Sequence, residues 1–142
     1  MTTSDEVAEL AEFNELIRRN PLHALMDLKC LALGPRTVVT MGLSDSVRGR
    51  VPGSVHGGML ATLADVTSAW TLTGAYDLGA ETPVTTDLHI RYYRQPHAGP
   101  LTAEANLVHR GRRLLSCECA VTDAENRVLA RSTATYMLVP QA

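Results

Sequence analysis

Between Gly57 and Gly74 the chain runs for 18 residues with a single charge, Asp65; nine of the others are apolar, and the rest are glycine, threonine and serine. A helix made from such a segment is apolar on nearly every side and has to be enclosed by other parts of the fold. It falls short of the ~20 consecutive apolar residues that span a bilayer. The chain therefore needs a wall around a central helix. Its 142 residues suffice for one such domain, 1–142, and are too few for two.

The remaining sequence supplies the wall. Thr3 and Glu6 have the spacing of a capping box, and Val7, Leu10, Ala11 and Ile17 then recur at helical intervals, which predicts an amphipathic helix within residues 1–20. Asn20-Pro21 ends it and opens a second short helical turn. Strands are expected from Leu28 toward Gly34-Pro35 and over roughly 36–43, and a loop over Ser44–Val55, where Arg48, Gly49, Arg50, Pro52 and Gly53 resist regular structure. Beyond the helix come four strand-like runs: Val84–Tyr93, Leu101–Arg110, Arg113–Asp123 and Arg127–Val139. In the first, Val84, Thr86, Leu88, Ile90 and Tyr92 alternate with Thr85, Asp87, His89, Arg91 and Tyr93, the pattern of a sheet with one buried face. An α+β fold follows, an antiparallel sheet wrapped around one apolar helix. A single sheet covered on one face leaves an edge and apolar surface, so self-association is expected.

Composition removes several function classes. The formal charge of −2, with no run of like charge, argues against coating nucleic acid or an anionic membrane, and 4% aromatics disfavours a base-stacking platform. Cys30, Cys117 and Cys119 cannot all pair in one chain, and no cluster has zinc-ligand spacing, so free thiols and no metal are expected. The first residues lack the basic and apolar regions of a signal peptide, which makes the cytoplasm the default location.

Two features of the apolar segment carry chemistry. Gly57 and Gly58 open the helix, where backbone N–H groups have no intrahelical acceptor and favour developing negative charge. Asp65 lies eight residues on, where an ionised carboxylate is costly unless it is paired or has a task. Oxyanion donors and a carboxylate together are equipped for attack on an activated carbonyl. Yet eight residues are about 12 Å along the axis and about 80° around it, too far for both to reach one carbonyl. If both are catalytic, Gly57 of one subunit must work with Asp65 of another.

The segment Gly53-Ser54-Val55-His56-Gly57-Gly58 followed by Leu63-Ala64-Asp65 strongly resembles the hotdog-fold acyl-CoA thioesterases of the phenylacetate-degradation (PaaI-like) type, in the 4-hydroxybenzoyl-CoA thioesterase superfamily. The element order from Leu22 to Val139 matches as well. The resemblance implies the hotdog fold, homodimers with shared active sites, often homotetramers, an acyl-CoA substrate and no cofactor. It implies Asp65 as the catalytic carboxylate, either general base or nucleophile, and the Gly57 amide as oxyanion donor. His56 matches the motif histidine, fixing the loop or touching substrate, and Thr85 matches a hydroxyl used by some relatives. Other relatives carry asparagine or glutamine six residues before that histidine; here Arg50 stands there, and arginine cannot accept a proton in that way. The substrate's coenzyme A phosphates require a local basic patch. Relatives place basic residues in the areas of His109-Arg110-Gly111-Arg112-Arg113, at a hairpin tip, and of Arg94 with His97. Arg50 and Gly58 join these as candidates for substrate contact.

The expected activity is hydrolysis of an aromatic or medium-chain acyl-CoA. Two alternatives share the scaffold: a non-catalytic acyl-CoA sensor, against which Asp65 speaks, and a hydratase, whose His and acid arrangement is missing.

Overall fold

The computed structural model describes residues 3–141. Helix α1 (Ser4–Arg19) begins on the expected capping box, in which the Thr3 hydroxyl accepts from the Glu6 N–H and the Glu6 carboxylate accepts from the Thr3 N–H. Asn20 ends α1 and caps α2 (Pro21–Leu25), accepting from the Leu22 and His23 N–H groups. Strands β1 (Leu28–Ala32) and β2 (Arg36–Met41) follow. After the loop comes α3 (Gly57–Trp70), then β3 (Glu81–Tyr92), β4 (Leu101–Arg110), β5 (Leu114–Thr122) and β6 (Val128–Pro140). The expected loop over 44–55 holds one short 3-10 turn at Asp45–Val47.

All six strands form one antiparallel sheet in the order β1-β2-β4-β5-β6-β3. The sheet curls around α3, which packs on β2, β4, β5, β6 and β3. Leu60, Leu63, Ala64, Thr67 and Ser68 form the buried flank of α3 and meet Val39, Met41, Ala103, Ala105, Cys119 and Val121 from the strands. Each fully buried leucine there contributes roughly 2 kcal/mol of apolar transfer. Thr62, Asp65, Val66 and Ala69 lie on the other flank, only half-buried within one chain. The helix that composition marks for full enclosure is thus enclosed by a single copy on one side.

All three cysteines are free and buried, and Cys117 and Cys119 share the inner face with Leu115 and Val121 as the alternation predicts. Burial pushes the Cys30 thiol up to about 11 and the Cys119 thiol up to about 12. Trp70 packs edge-on against Phe13 at 5.1 Å and His23 at 5.5 Å, joining α3 to α1 and α2. No helix of the described residues is long and apolar enough to cross a membrane.

Candidate active site

The loop before α3 is tied down by its own backbone and by the Gln95 side chain. Gly49 N–H donates to Ser54 O at 3.0 Å, His56 N–H to Val47 O at 2.9 Å, and Val55 N–H to the Gln95 side-chain oxygen at 2.9 Å. Gly53 takes φ +81°, a turn conformation that a side chain would strain. His56, delivered by this loop, is the N-cap of α3: its Nδ1 accepts from the Gly58 N–H at 3.0 Å. An accepting Nδ1 requires a neutral ring with its proton on Nε2. A Cβ on Gly58 would fall 3.1 Å from that Nδ1, so glycine at 58 makes room for the cap. With the Gly58 amide spent, the Gly57 N–H is left without an acceptor among the described residues. The Gly57 carbonyl is held from the other side, accepting from the Tyr92 hydroxyl at 2.8 Å.

Two turns further along, Asp65 sits half-buried between two hydroxyls. Thr85 Oγ1 donates to Oδ1 at 3.0 Å and lies 3.4 Å from Oδ2. The Tyr136 hydroxyl is 2.8 Å from Oδ1 and 2.8 Å from the Asp65 main-chain oxygen. Strict alternation along β3 places Thr85 on the outer face with His89 and Arg91. The structure corrects this: a register shift between Thr85 and Asp87 turns Thr85 to the helix side, opposite the buried Tyr136 of β6. Thr86 is the extra residue of the bulge, so the alternation inverts on its N-terminal side and Val84, expected inward, lies exposed opposite Met137. Burial first, and then the neighbouring Asp65 charge, push the Tyr136 phenol well above its ordinary range, so it stays a proton donor.

The structure therefore brings Thr85 to Asp65 and joins His56 with Gly57 and Gly58, but it keeps these two groups apart within one chain. Arg50 is exposed in the loop and bonds to neither. Arg94 is exposed just beyond the Tyr92 end of β3. Arg110 is already engaged, donating to the Ala75 carbonyl at 2.9 Å, while Arg112 and Arg113 are exposed at the hairpin tip. Sequence reasoning missed Tyr136, Tyr92 and Gln95. The alternation of β6 marks Tyr136 as inward-facing, yet only the packing of α3 on β6 brings it to Asp65, 71 residues away in sequence.

Among the described residues one cluster has metal-ligand chemistry: His97, Asp123 and Glu125 offer atoms within 4.8 Å of one another. The Arg127 guanidinium lies against His97 and, at 3.6 Å, against Asp123, so a cation already occupies the cluster. Asp123 accepts from the N–H groups of His97, Glu125 and Arg127. Burial alone would raise its carboxyl, but these donors and the guanidinium outweigh burial and hold it below the ordinary range. These bonds hold the β5–β6 turn, and with the guanidinium in place the group does not suit a metal.

Comparison with known proteins agrees with this architecture. The sequence profile of a family described as the thioesterase superfamily matches residues 52–130. Among solved structures, a thioesterase from Haemophilus influenzae superposes with a TM-score of 0.83 at 21% identity, over 99% of this chain and 93% of that one. A variant thioesterase from Pseudomonas aeruginosa gives 0.84 at 18% identity, over 92% and 94%. A conserved protein from the same organism gives 0.76 at 26% identity, over 84% and 94%. The first two likenesses, at such identities, speak for the fold alone. A search of curated protein sequences finds no match.

Proposed function

The chain belongs to the thioesterase superfamily and has the hotdog fold, and from that premise we propose that it is a PaaI-like acyl-CoA thioesterase whose sites are shared between two copies. The observation that carries this reading is the pairing of an unclaimed Gly57 N–H at the start of α3 with a pinned, half-buried Asp65 carboxylate.

Hydrolysis proceeds by attack of water on the thioester carbonyl. Asp65 takes the water proton, the carbonyl oxygen gathers negative charge against the Gly57 N–H, and collapse breaks the C–S bond to release acid and free thiol. In the nucleophilic variant Asp65 itself attacks the carbonyl, and the C–S bond breaks to expel the thiolate and leave a mixed anhydride. Water then opens the anhydride to the free acid and the Asp65 carboxylate, its proton passing to the thiolate. His56 serves by keeping the Gly58 amide occupied and the helix start in place. The three buried free thiols suit a reducing cytoplasm.

Because Gly57 and Asp65 of one chain cannot meet on one carbonyl, the second copy supplies the missing half. Strand β3 is the sheet edge, and its register with β6 puts Asp87 and Arg91 together on the outer face. Antiparallel pairing of two β3 strands centred on His89 sets Asp87 opposite Arg91 of the second copy, twice by symmetry. The same register lays the bulge at Thr85 opposite Tyr92 of the second copy, and so brings one Asp65 toward the other Gly57. Arg91 also faces Arg131 directly across β3 and β6, an unfavourable like-charge pair that Asp87 of the second copy would relieve.

The coenzyme phosphates fit the basic side chains left over. Arg110, Leu115, Tyr136 and Thr85 stand at one level across four strands. At about 4.8 Å per strand, the Arg110–Arg113 hairpin is therefore about 14 Å from Thr85. With Arg110 engaged at Ala75, Arg112 and Arg113 take the phosphates, joined by Arg94 from the second copy.

Thiol release measured over a panel of aryl-, hydroxyaryl- and straight-chain acyl-CoAs tests the reading. Release from at least one class is expected, and Asp65→Asn should cut it about 10²–10⁴-fold. Tight acyl-CoA binding without release would instead favour the sensor.

A further inference from the structure

Asp65 is the group that the proposed hydrolysis depends on, and the structure holds one of its two oxygens more firmly than the other. Thr85 and Tyr136 are direct cross-strand partners on β3 and β6, and both direct a hydroxyl at Oδ1. Oδ2 has only the longer 3.4 Å approach of Thr85. Tyr136 reaches Oδ1 from the core, where it is 1% exposed; Thr85 reaches it from the open side. We propose that Tyr136 is a positioning residue: it fixes the Asp65 rotamer from the buried side, so that Oδ1 is held between the two hydroxyls and Oδ2 is presented to the attacking water.

The arrangement follows from what each hydroxyl can do. Tyr136 has one proton and two acceptors at 2.8 Å, the Asp65 main-chain oxygen and Oδ1. Sitting between them, it ties the carboxylate to the helix backbone that carries it and so limits rotation about the side-chain bonds. Thr85 alone would let the carboxylate swing, because its hydroxyl lies within reach of both Oδ1 and Oδ2. Tyr136 is fixed in place, being closed in by Leu72, Leu115, Cys117, Ala134 and Leu138. The two hydroxyls thus have different tasks, with Tyr136 setting the geometry and Thr85 completing the solvation of Oδ1.

This inference rests on the thioesterase reading and is separable from it by measuring Asp65→Asn and Tyr136→Phe side by side. Tyr136→Phe removes one oxygen and keeps the ring in its pocket. A hydrogen bond to a charged group that must stay oriented corresponds to a loss of about 10–100-fold in rate. We expect that loss in kcat, with KM changed less than about threefold, because the phenol touches the carboxylate and not the substrate. In an Asp65→Asn background the same change should cost little more, since the group it positions is already disabled. Unchanged kcat in a folded Tyr136→Phe protein, or a rise in KM alone, overturns the proposal while leaving Asp65 in place. Independent, multiplying losses in the double variant overturn it too. If Tyr136→Phe does not fold, fluorotyrosine at 136 keeps the packing and alters the strength of the donor; an unaltered kcat there has the same overturning force. If the wild-type chain releases no thiol from any acyl-CoA, the thioesterase reading fails and this inference falls with it.

Discussion

The two edges of the sheet are treated in opposite ways. At one edge β1 is five residues long, and α1 lies along it. The Asn14 side chain of α1 accepts from the Cys30 N–H at 2.8 Å and donates to the Cys30 carbonyl at 2.9 Å. One amide side chain thereby stands in for the strand that would otherwise pair there. At the other edge β3 is twelve residues long, and most of its side chains from Val84 to Tyr92 are exposed in a single copy. A long uncovered edge invites pairing with another chain, and proteins that must stay alone shorten, charge or cover such edges. Here one edge is covered and the other is left open beside the half-exposed flank of α3 that bears Asp65. The contrast leaves β3 as the edge at which the proposed second copy would pair, and β1 as a closed end.

The largest effect should come from separating the two halves of the shared site. Gly57→Pro removes the proposed oxyanion donor at a helix position where proline is tolerated, and Asp65→Asn removes the carboxylate. Each alone should lose about 10²–10⁴-fold in thiol release. Mixed and allowed to exchange subunits, the two dead proteins should recover about a quarter of the wild-type rate, since half the dimers are hybrid and each hybrid has one intact site. No recovery despite exchange would show that the site does not cross β3.

Charge reversal probes the pairing register next. Asp87→Arg or Arg91→Asp alone places like charges opposite each other twice per dimer, which should weaken dimerisation by about 10–100-fold in sedimentation measurements. The double swap should restore it. A double variant as weak as either single one would require another register.

At the closed edge, Asn14→Ala strands the Cys30 N–H and carbonyl, with an expected cost of about 1–3 kcal/mol in denaturant unfolding. Wild-type stability in that variant would mean that water replaces the amide and that the closure is weaker than drawn. The smallest effect belongs to Lys29→Glu, on the outer face of β1. It should change stability by less than about 0.5 kcal/mol and leave dimerisation untouched; a dimer defect there would erase the distinction between the edges.

Much of the fold was legible because burial writes periodicity into sequence. The apolar run marked α3, the Thr3–Glu6 spacing marked the start of α1, and alternation marked Cys117 and Cys119 as inward-facing. The two groups of the candidate site were readable as motifs as well, and the helix pitch alone put them too far apart to share one carbonyl within a chain. What stayed hidden depends on long-range pairing. The bulge that turns Thr85 inward leaves no trace in the residue types of β3, and the contact from Tyr136 to Asp65 joins residues 71 positions apart. Asn14 reads in sequence as an ordinary polar helix residue, and Arg110 as a free cation in a basic turn. Their partners, the backbone groups of Cys30 and Ala75, have no side-chain signature.

The Asn14 amide also bears on how many copies can join. A sheet with two open edges has a valence of two and can grow without limit by adding copies end to end. Blocking one edge lowers that valence to one. Were two β3 strands to meet, both outer ends of the joined sheet would present α1 and its asparagine, so the sheet itself would not extend beyond the pair. A single side chain far from the carboxylate would thus separate an enzyme of fixed size from a fibre.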